Sequence, residues 1–404
     1  MLQVVAMGLV VGALWLKLFW IVLAAFFLLS VQTAILAPAK RGILLEYVGP
    51  EKLSRYVGYM EMSAVTAVLV GSFAGGWLFS HWLSVGADPW RAALLVSVVL
   101  WFLAGVAWGI FQLAQPTPAQ TQTPFTWRLL VQHLSLTAEV HGDRPLWRAT
   151  LGICFFYGIG GFIGVLLPQV AYEMTAGGAR TGAISSGMLL MLGVGTLGGN
   201  LFAGLFSRRG VELGLAPLGG SLLAGALLGL GFTPPGTGLF TGLLILAGFA
   251  SGLFLVPLYA FIQNHAGQHR RGRILAGVSL LDSLAGLGVS GLYWLVASEA
   301  MLGWSAPTQF FALTGCTLLM VAYGLWHLPH QTVCTIMRLI GPLFYQVKAK
   351  GRGHVPAAGA LVICNHLSYV DAVVLQLASP RPLRFVAFAG FSKSPALRFL
   401  FRAA

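Results

Sequence analysis

Residues 237–262, TGLFTGLLILAGFASGLFLVPLYAFI, run for 26 positions without a charged side chain. A helix rises about 1.5 Å per residue and the hydrocarbon core of a bilayer is about 30 Å thick, so about 20 apolar residues cross it. The segment reads as a membrane-spanning helix, because a helix satisfies its own backbone polar groups and these side chains need no water. Nine further runs of the same kind lie near 1–16, 18–37, 57–79, 90–112, 148–171, 183–206, 212–231, 273–297 and 306–327. The first is short; lacking a signal-peptide cleavage pattern, it is read as a span rather than a removed leader. Ten spans predict an all-α polytopic membrane protein. Of 404 residues, 57% are hydrophobic and 9% charged, with a mean hydropathy of +0.82, which excludes an ordinary soluble domain.

A formal net charge of +13 could suit nucleic acid, but the placement of the basic residues argues for membrane topology instead. If the loop after the second span is cytoplasmic, one side carries Lys40, Arg41, Lys52, Arg55, Arg128, Arg144, Arg148, Arg208, Arg209, Arg270, Arg271 and Arg273. The other carries Lys17, Arg91 and Arg180. Basic residues collect in cytoplasmic loops, so the first set, and everything after Leu328, is expected inside, with no nucleic-acid partner. Cys154, Cys316, Cys334 and Cys364 show no metal-ligand or disulfide spacing, so three are expected to pack in or beside the membrane and Cys364 to sit in a strand. Many of the 52 glycines fall in the spans; Gly71-x-x-x-Gly75 and Gly195-x-x-x-Gly199 are patterns that let helices approach closely in lipid. A polar stretch, the loop 113–147 with its Gln-Pro-Thr-Pro beginning, separates four spans from six. That division suits a transporter of two helical halves.

Two segments carry a family likeness. APAKRGILLEYVGPEKLSRYVGYMEMSAVTAVLVGSFAGG, residues 37–76, and LVPLYAFIQNHAGQHRRGRILAGVSLLDSLAG, residues 255–286, resemble the bacterial lysophospholipid transporters of the major facilitator superfamily. The resemblance implies a twelve-helix transporter of the inner membrane, of which about ten helices are present; the family's first two helices and the charged loop after them have no counterpart. Charges within spans are costly in lipid and are therefore functional candidates. Asp282, about ten residues into the ninth span, is expected either to face a central cavity and meet a cation or ethanolamine head group, or to pair with a neighbouring helix. Glu61, at the start of the third span, is a second transport candidate, or an interfacial acid favoured by the helix dipole.

After Leu328 the composition changes, and residues 330–404 are expected to be a separate domain following a transporter at 1–329. Gln331–Val347 suits an amphipathic helix lying in the membrane interface. Ala360–Cys364 reads as a buried strand, and residues 382–388 as a second; Lys393–Arg402 is a basic segment suited to anionic lipid or to a solvated face. Between them, His366 and Asp371 form an H-x4-D pair. In one continuous helix, residues five apart lie about 140° apart around the axis and could not easily meet, so a turn at Asn365–His366 before a new helix is expected. Such a pair suits general-base activation of a hydroxyl, the carboxylate fixing the imidazole tautomer. The same residues also read as a capping box, Ser368-x-x-Asp371, with Asp371 satisfying a backbone donor.

The run GRGHVPAAGALVICNHLSYVDAVVL resembles the first signature block, N-H-x-S-x-x-D, of the glycerolipid acyltransferases. The resemblance implies the start of an α/β domain in which His366 and Asp371 are the catalytic pair and Asn365 and Ser368 support the turn. It implies no bound cofactor or metal, with an acyl carrier protein or coenzyme A thioester as donor. The family's later blocks, including a Glu-Gly-Thr-Arg-like segment for the glycerol phosphate, are not present, so the catalytic domain is expected to be truncated. The combined expectation is transport of a lysophospholipid, such as lysophosphatidylethanolamine, coupled to its reacylation. The alternatives are a lipid or drug transporter with an inert acyltransferase remnant, and an acyltransferase anchored by a non-transporting scaffold.

Overall fold

The computed structural model describes residues 1–113, 133–177, 181–207, 211–267, 270–298, 300–351, 359–368, 370–379 and 383–386; within α2 it gives only the backbone of 37–39, 41, 45–46, 50–54, 61, 80 and 84. Twelve helices are seen among these residues: α1 (Leu2–Trp15), α2 (Phe19–Ser84), α3 (Pro89–Phe111), α4 (His133–Gly142), α5 (Arg144–Thr175), α6 (Thr181–Phe206), α7 (Leu215–Phe232), α8 (Gly238–His265), α9 (Arg271–Ala297), α10 (Ala306–His327), α11 (Pro329–Phe344) and α12 (Asp371–Ala378). Nine segments of them are long and apolar enough to cross a membrane. The first expected span is instead the 14-residue α1, too short to cross a bilayer unaided. The basic connector between the second and third spans is helical too. α2 runs through it with one break, at Gly49, whose φ of 71° is open to glycine at little cost.

Helix starts follow local chemistry. Asp88 caps α3, its Oδ1 accepting the Arg91 N–H at 2.8 Å, and its other oxygen meets Lys17 Nζ at 3.5 Å, tying the α1–α2 turn to the α2–α3 turn. Asp143 caps α5 through the Leu146 N–H and also meets His265 Nε2 at 3.3 Å, so one carboxylate joins the ends of α5 and α8. The main core lies among α5, α7, α8 and α10, where Phe162, Leu166, Leu227, Phe240, Leu244 and Phe310 are buried.

The tightest crossing is between α6 and α8. A Cβ placed on Gly195 or Gly199 would meet the carbonyls of Ile245 and Phe249, and one on Gly248 the carbonyl of Leu192, so two glycine rows interlock and the backbones touch. The expectation for Gly71-x-x-x-Gly75 fails. Nothing lies within 4 Å of either position, because that face of α2 meets no neighbour among the described residues. No strand occurs among the described residues: Ala360–Cys364 has no regular secondary structure, with Leu361 and Ile363 more than four-fifths exposed, and the described part of the second expected strand, 383–386, is irregular. A strand persists only where its N–H and C=O groups find a partner strand, and none of the described segments supplies one. Cys364 is accordingly exposed rather than packed in a sheet. The expected basic segment at 393–402 and most of the loop 113–147 lie outside the described residues; the end of that loop is helical, as α4 and the start of α5.

Candidate functional site

The H-x4-D segment is carried by a short ladder of packed helices. α11 is amphipathic, as expected, and lies against the bundle: Arg338 Nη1 pairs with Glu212 Oε1 in the α6–α7 turn, both side chains largely buried. Burial pushes the Glu212 carboxyl up, and the Arg338 guanidinium opposes that shift. Gly214 allows the contact, since a Cβ there would strike the Gln331 carbonyl and the Thr335 hydroxyl. α12 then packs on α11. Gly341 receives Leu377, and the buried Gln376 accepts from Cys334 Sγ at 3.4 Å and from the Leu383 N–H at 2.9 Å through one oxygen. Burial raises the Cys334 thiol above its ordinary range.

At the N-terminus of α12 the chain turns as the motif requires. His366 Nδ1 lies 2.9 Å from Asp371 Oδ2, and the same oxygen accepts the N–H groups of Leu367 at 2.7 Å and Ser368 at 2.9 Å. One carboxylate thus does both things the sequence allowed, satisfying backbone donors of the turn that leads into α12 and holding the imidazole. The Ser368 and Leu367 N–H groups, followed by His366, keep the Asp371 carboxyl below the usual carboxylate range. An ionised carboxylate on Nδ1 favours the tautomer with a proton there, leaving Nε2 as a base. The His366 side chain is 77% exposed, so that nitrogen is open to a substrate. Ser368 Oγ accepts the Val370 N–H at 3.5 Å, a turn-supporting contact, and Asn365 is exposed beside it.

Within the bundle, Asp282 of α9 is linked to α8 and α5. Tyr259 Oη donates to Asp282 Oδ2 at 3.4 Å and lies 3.3 Å from Tyr157 Oη, while Ser283 Oγ donates to Oδ1 at 3.3 Å. The carboxylate is half-buried in a polar cluster spanning three helices. Glu61 lies in α2, but its side chain is outside the described residues. A second cluster was missed by sequence reasoning: Gln169 of α5 accepts from Tyr293 Oη at 2.8 Å and from Gln309 Nε2 at 3.1 Å, and donates to Glu173 at 2.8 Å. Its signal was there, in glutamines that fall within apolar runs without carrying charge.

The helical bundle and the motif that follows it can be placed among known proteins. The family model described as Major Facilitator Superfamily matches residues 1–290, more than half of the chain. The chain belongs to the major facilitator superfamily. A second model, described as Acyltransferase, matches residues 346–404, which contain the His366–Asp371 turn. A lysophospholipid transporter of Enterobacter sp. (strain 638) is 31% identical over 311 residues, covering 74% of this chain and 72% of that protein. A lysophospholipid transporter of Klebsiella pneumoniae subsp. pneumoniae is 31% identical, covering 67% of this chain and 66% of its own length. Among solved structures, the E. coli fucose:proton symporter matches with a TM-score of 0.60 at 12% identity, over 80% of this chain and 81% of the symporter, which shows a shared fold.

In this superfamily member, α2 and α6 meet closely at one end and separate at the other. A Cβ on Gly58 would lie 2.9 Å from the Asn200 carbonyl and 3.2 Å from Gly204 Cα. Further along, the two helices enclose a crevice of about 380 Å³ lined by apolar groups such as Val68, Leu69, Phe73, Leu189 and Leu192. The Asn200 side chain, 1% exposed beside the close crossing, makes no hydrogen bond among the described residues.

Proposed function

We propose that this multi-pass protein moves a lysophospholipid across a bacterial inner membrane and that its C-terminal segment, on the cytoplasmic side, reacylates the lipid. The observation that carries the reading is the 2.9 Å His366–Asp371 contact, with an exposed imidazole, on a chain whose bundle is akin to lysophospholipid transporters. The apolar α2–α6 crevice suits an acyl chain, and the Asp282 cluster suits a cationic head group such as ethanolamine. In the chemical step, His366 Nε2 takes the proton of the free glycerol hydroxyl as its oxygen attacks the carbonyl carbon of an acyl thioester, from acyl carrier protein or coenzyme A. The tetrahedral intermediate collapses with C–S cleavage. The departing thiolate takes the proton back from His366, leaving an ester and a thiol. Asp371 holds the tautomer and offsets the charge on the imidazolium.

The test is acyl transfer from radiolabelled thioester to lysophospholipid in membranes containing the intact protein, together with lysophospholipid uptake into vesicles. Acyl transfer that survives His366→Ala would remove the enzymatic part. One observation favours transport alone: Asp371 accepts the N–H groups of Leu367 and Ser368, which closes the turn before α12 without any catalysis. Under that reading uptake persists and no transfer is found.

A further inference from the structure

A second cavity, of about 270 Å³, lies at the end of the bundle where α11 is docked, distinct from both the α2–α6 crevice and the His366 turn. Its walls are largely apolar, with Phe254, Leu258 and Met320 among them, while Arg148, Tyr323, His327 and Gln331 bring polar groups to the lining. Arg148, His327 and Gln331 come from α5, α10 and α11, so α11 adds one polar group to a lining otherwise supplied by the bundle and its turns.

The charge at this cavity has one sign. Arg148 makes no ion pair among the described residues, and the acids of neighbouring segments are engaged elsewhere: Asp143 with His265, Glu139 with Arg270 and Arg273, Glu212 with Arg338. His327 Nδ1 bonds the Tyr323 carbonyl at 2.9 Å, which offsets the negative end of α10 and leaves Nε2 for another partner. The first turns of α5, α7 and α11 also border the cavity, and those of α7 and α11 have no side-chain cap, so their positive ends add to the field of Arg148. A cation set beside an apolar pocket complements an amphiphile with an anionic head. The volume is less than twice that of the roughly 150 Å³ cavity that takes a benzene ring, which leaves room for part of one acyl chain and not for two.

We propose that this cavity is a second lipid site, which holds a lysophospholipid with its single chain among Phe254, Leu258 and Met320 and its phosphate at Arg148 and His327. The inference deepens the transport-and-reacylation reading and rests on it for the identity of the lipid. One of its lining residues, Gln331, belongs to α11, the helix against which α12 packs further along.

The test uses the intact protein in vesicles and a lysophosphatidylethanolamine with a diazirine near the end of its chain. Irradiation and peptide mapping are expected to give adducts within 254–261 and 320–328. Arg148→Gln should lower that labelling roughly tenfold, the scale of one lost hydrogen bond to a charged group, and Arg148→Lys should restore most of it. Excess lysophospholipid should compete and diacyl phosphatidylglycerol should not. Adducts elsewhere only, unchanged labelling in Arg148→Gln with an unchanged melting curve, or equal competition by the diacyl lipid would each overturn the site. Uptake measured on the same vesicles keeps the two ideas apart: uptake without these adducts discards the site and leaves transport, whereas adducts without uptake in the wild type strike the transport reading and leave the site.

Discussion

The α6–α8 crossing and the His366–Asp371 turn are held together by opposite means. At the crossing, the absence of side chains does the work: Gly195, Gly199 and Gly248 let two backbones touch over several turns, in a setting where lipid tails leave no hydrophobic drive between helices. At the turn, one ionised carboxylate gathers two N–H groups and an imidazole in water-exposed chain, with few apolar contacts behind it. The contrast teaches that the bundle resists change through shape and the turn through charge. α11 joins the two, and it uses both means, the Gly214 contact and the Arg338–Glu212 pair.

The largest effect is expected at the turn and in activity alone. His366→Ala should lower acyl transfer by roughly 10²–10⁴-fold, the usual loss of a general base, with the bundle's melting and uptake unchanged. If uptake fell in parallel, the two regions would not be the separate devices described above. At the joint, Arg338→Ala leaves Glu212 without its partner. For a fully buried pair that costs roughly 3–5 kcal/mol, and the figure here falls toward the lower end because the side chains stay 17% and 15% exposed. Faster amide exchange across 329–344, with α6 and α8 unaffected, is the expected readout, and exchanging the charges with Glu212→Arg and Arg338→Glu should restore protection in large part.

A bundle test comes next in size. Gly199→Ala would push a methyl into the Phe249 carbonyl and should lower stability by about 1–3 kcal/mol, read as a lower melting temperature in detergent with no effect on the His366 turn. The same change at Gly71, where no neighbouring segment among the described residues comes within 4 Å, should be nearly silent. A small effect on stability separates the turn's acceptor from the catalyst. Asp371→Asn keeps a side-chain acceptor and should cost at most about 1 kcal/mol of local stability while markedly lowering acyl transfer.

The pH dependence of that turn follows from the depressed Asp371 carboxyl. The folded value lies below the ordinary 3.8, so the carboxylate's contribution is fully present above the unfolded value and is lost as pH falls through the folded one. The carboxylate-linked change in the Leu367 and Ser368 amide shifts should therefore have its midpoint below 3.8. A midpoint at higher pH would mean that the carboxylate is not held as described.

The division between what composition shows and what folding decides runs along the same line. Long apolar runs identify their own helices, because a helix closes its backbone bonds locally and lipid accepts any apolar face; residues 237–262 needed no partner to be read, and the structure returns them as α8. The spacing of Asn365, His366, Ser368 and Asp371 likewise announced a turn and a new helix, since the contacts that make it span five residues. Strand and contact expectations failed where the answer depended on distant chain. Among the described residues, Ala360–Cys364 has strand-like residues but no neighbour to pair with, and Gly71-x-x-x-Gly75 has the pattern of its counterpart in α6 but no helix against it. The Gln169–Tyr293–Gln309 cluster, the pairing of Glu212 with Arg338 and the cavity beside Arg148 each join residues more than 100 positions apart. Hydrogen bonds, ion pairs and cavities of that reach are set by which helix faces which, and only the tertiary structure decides that.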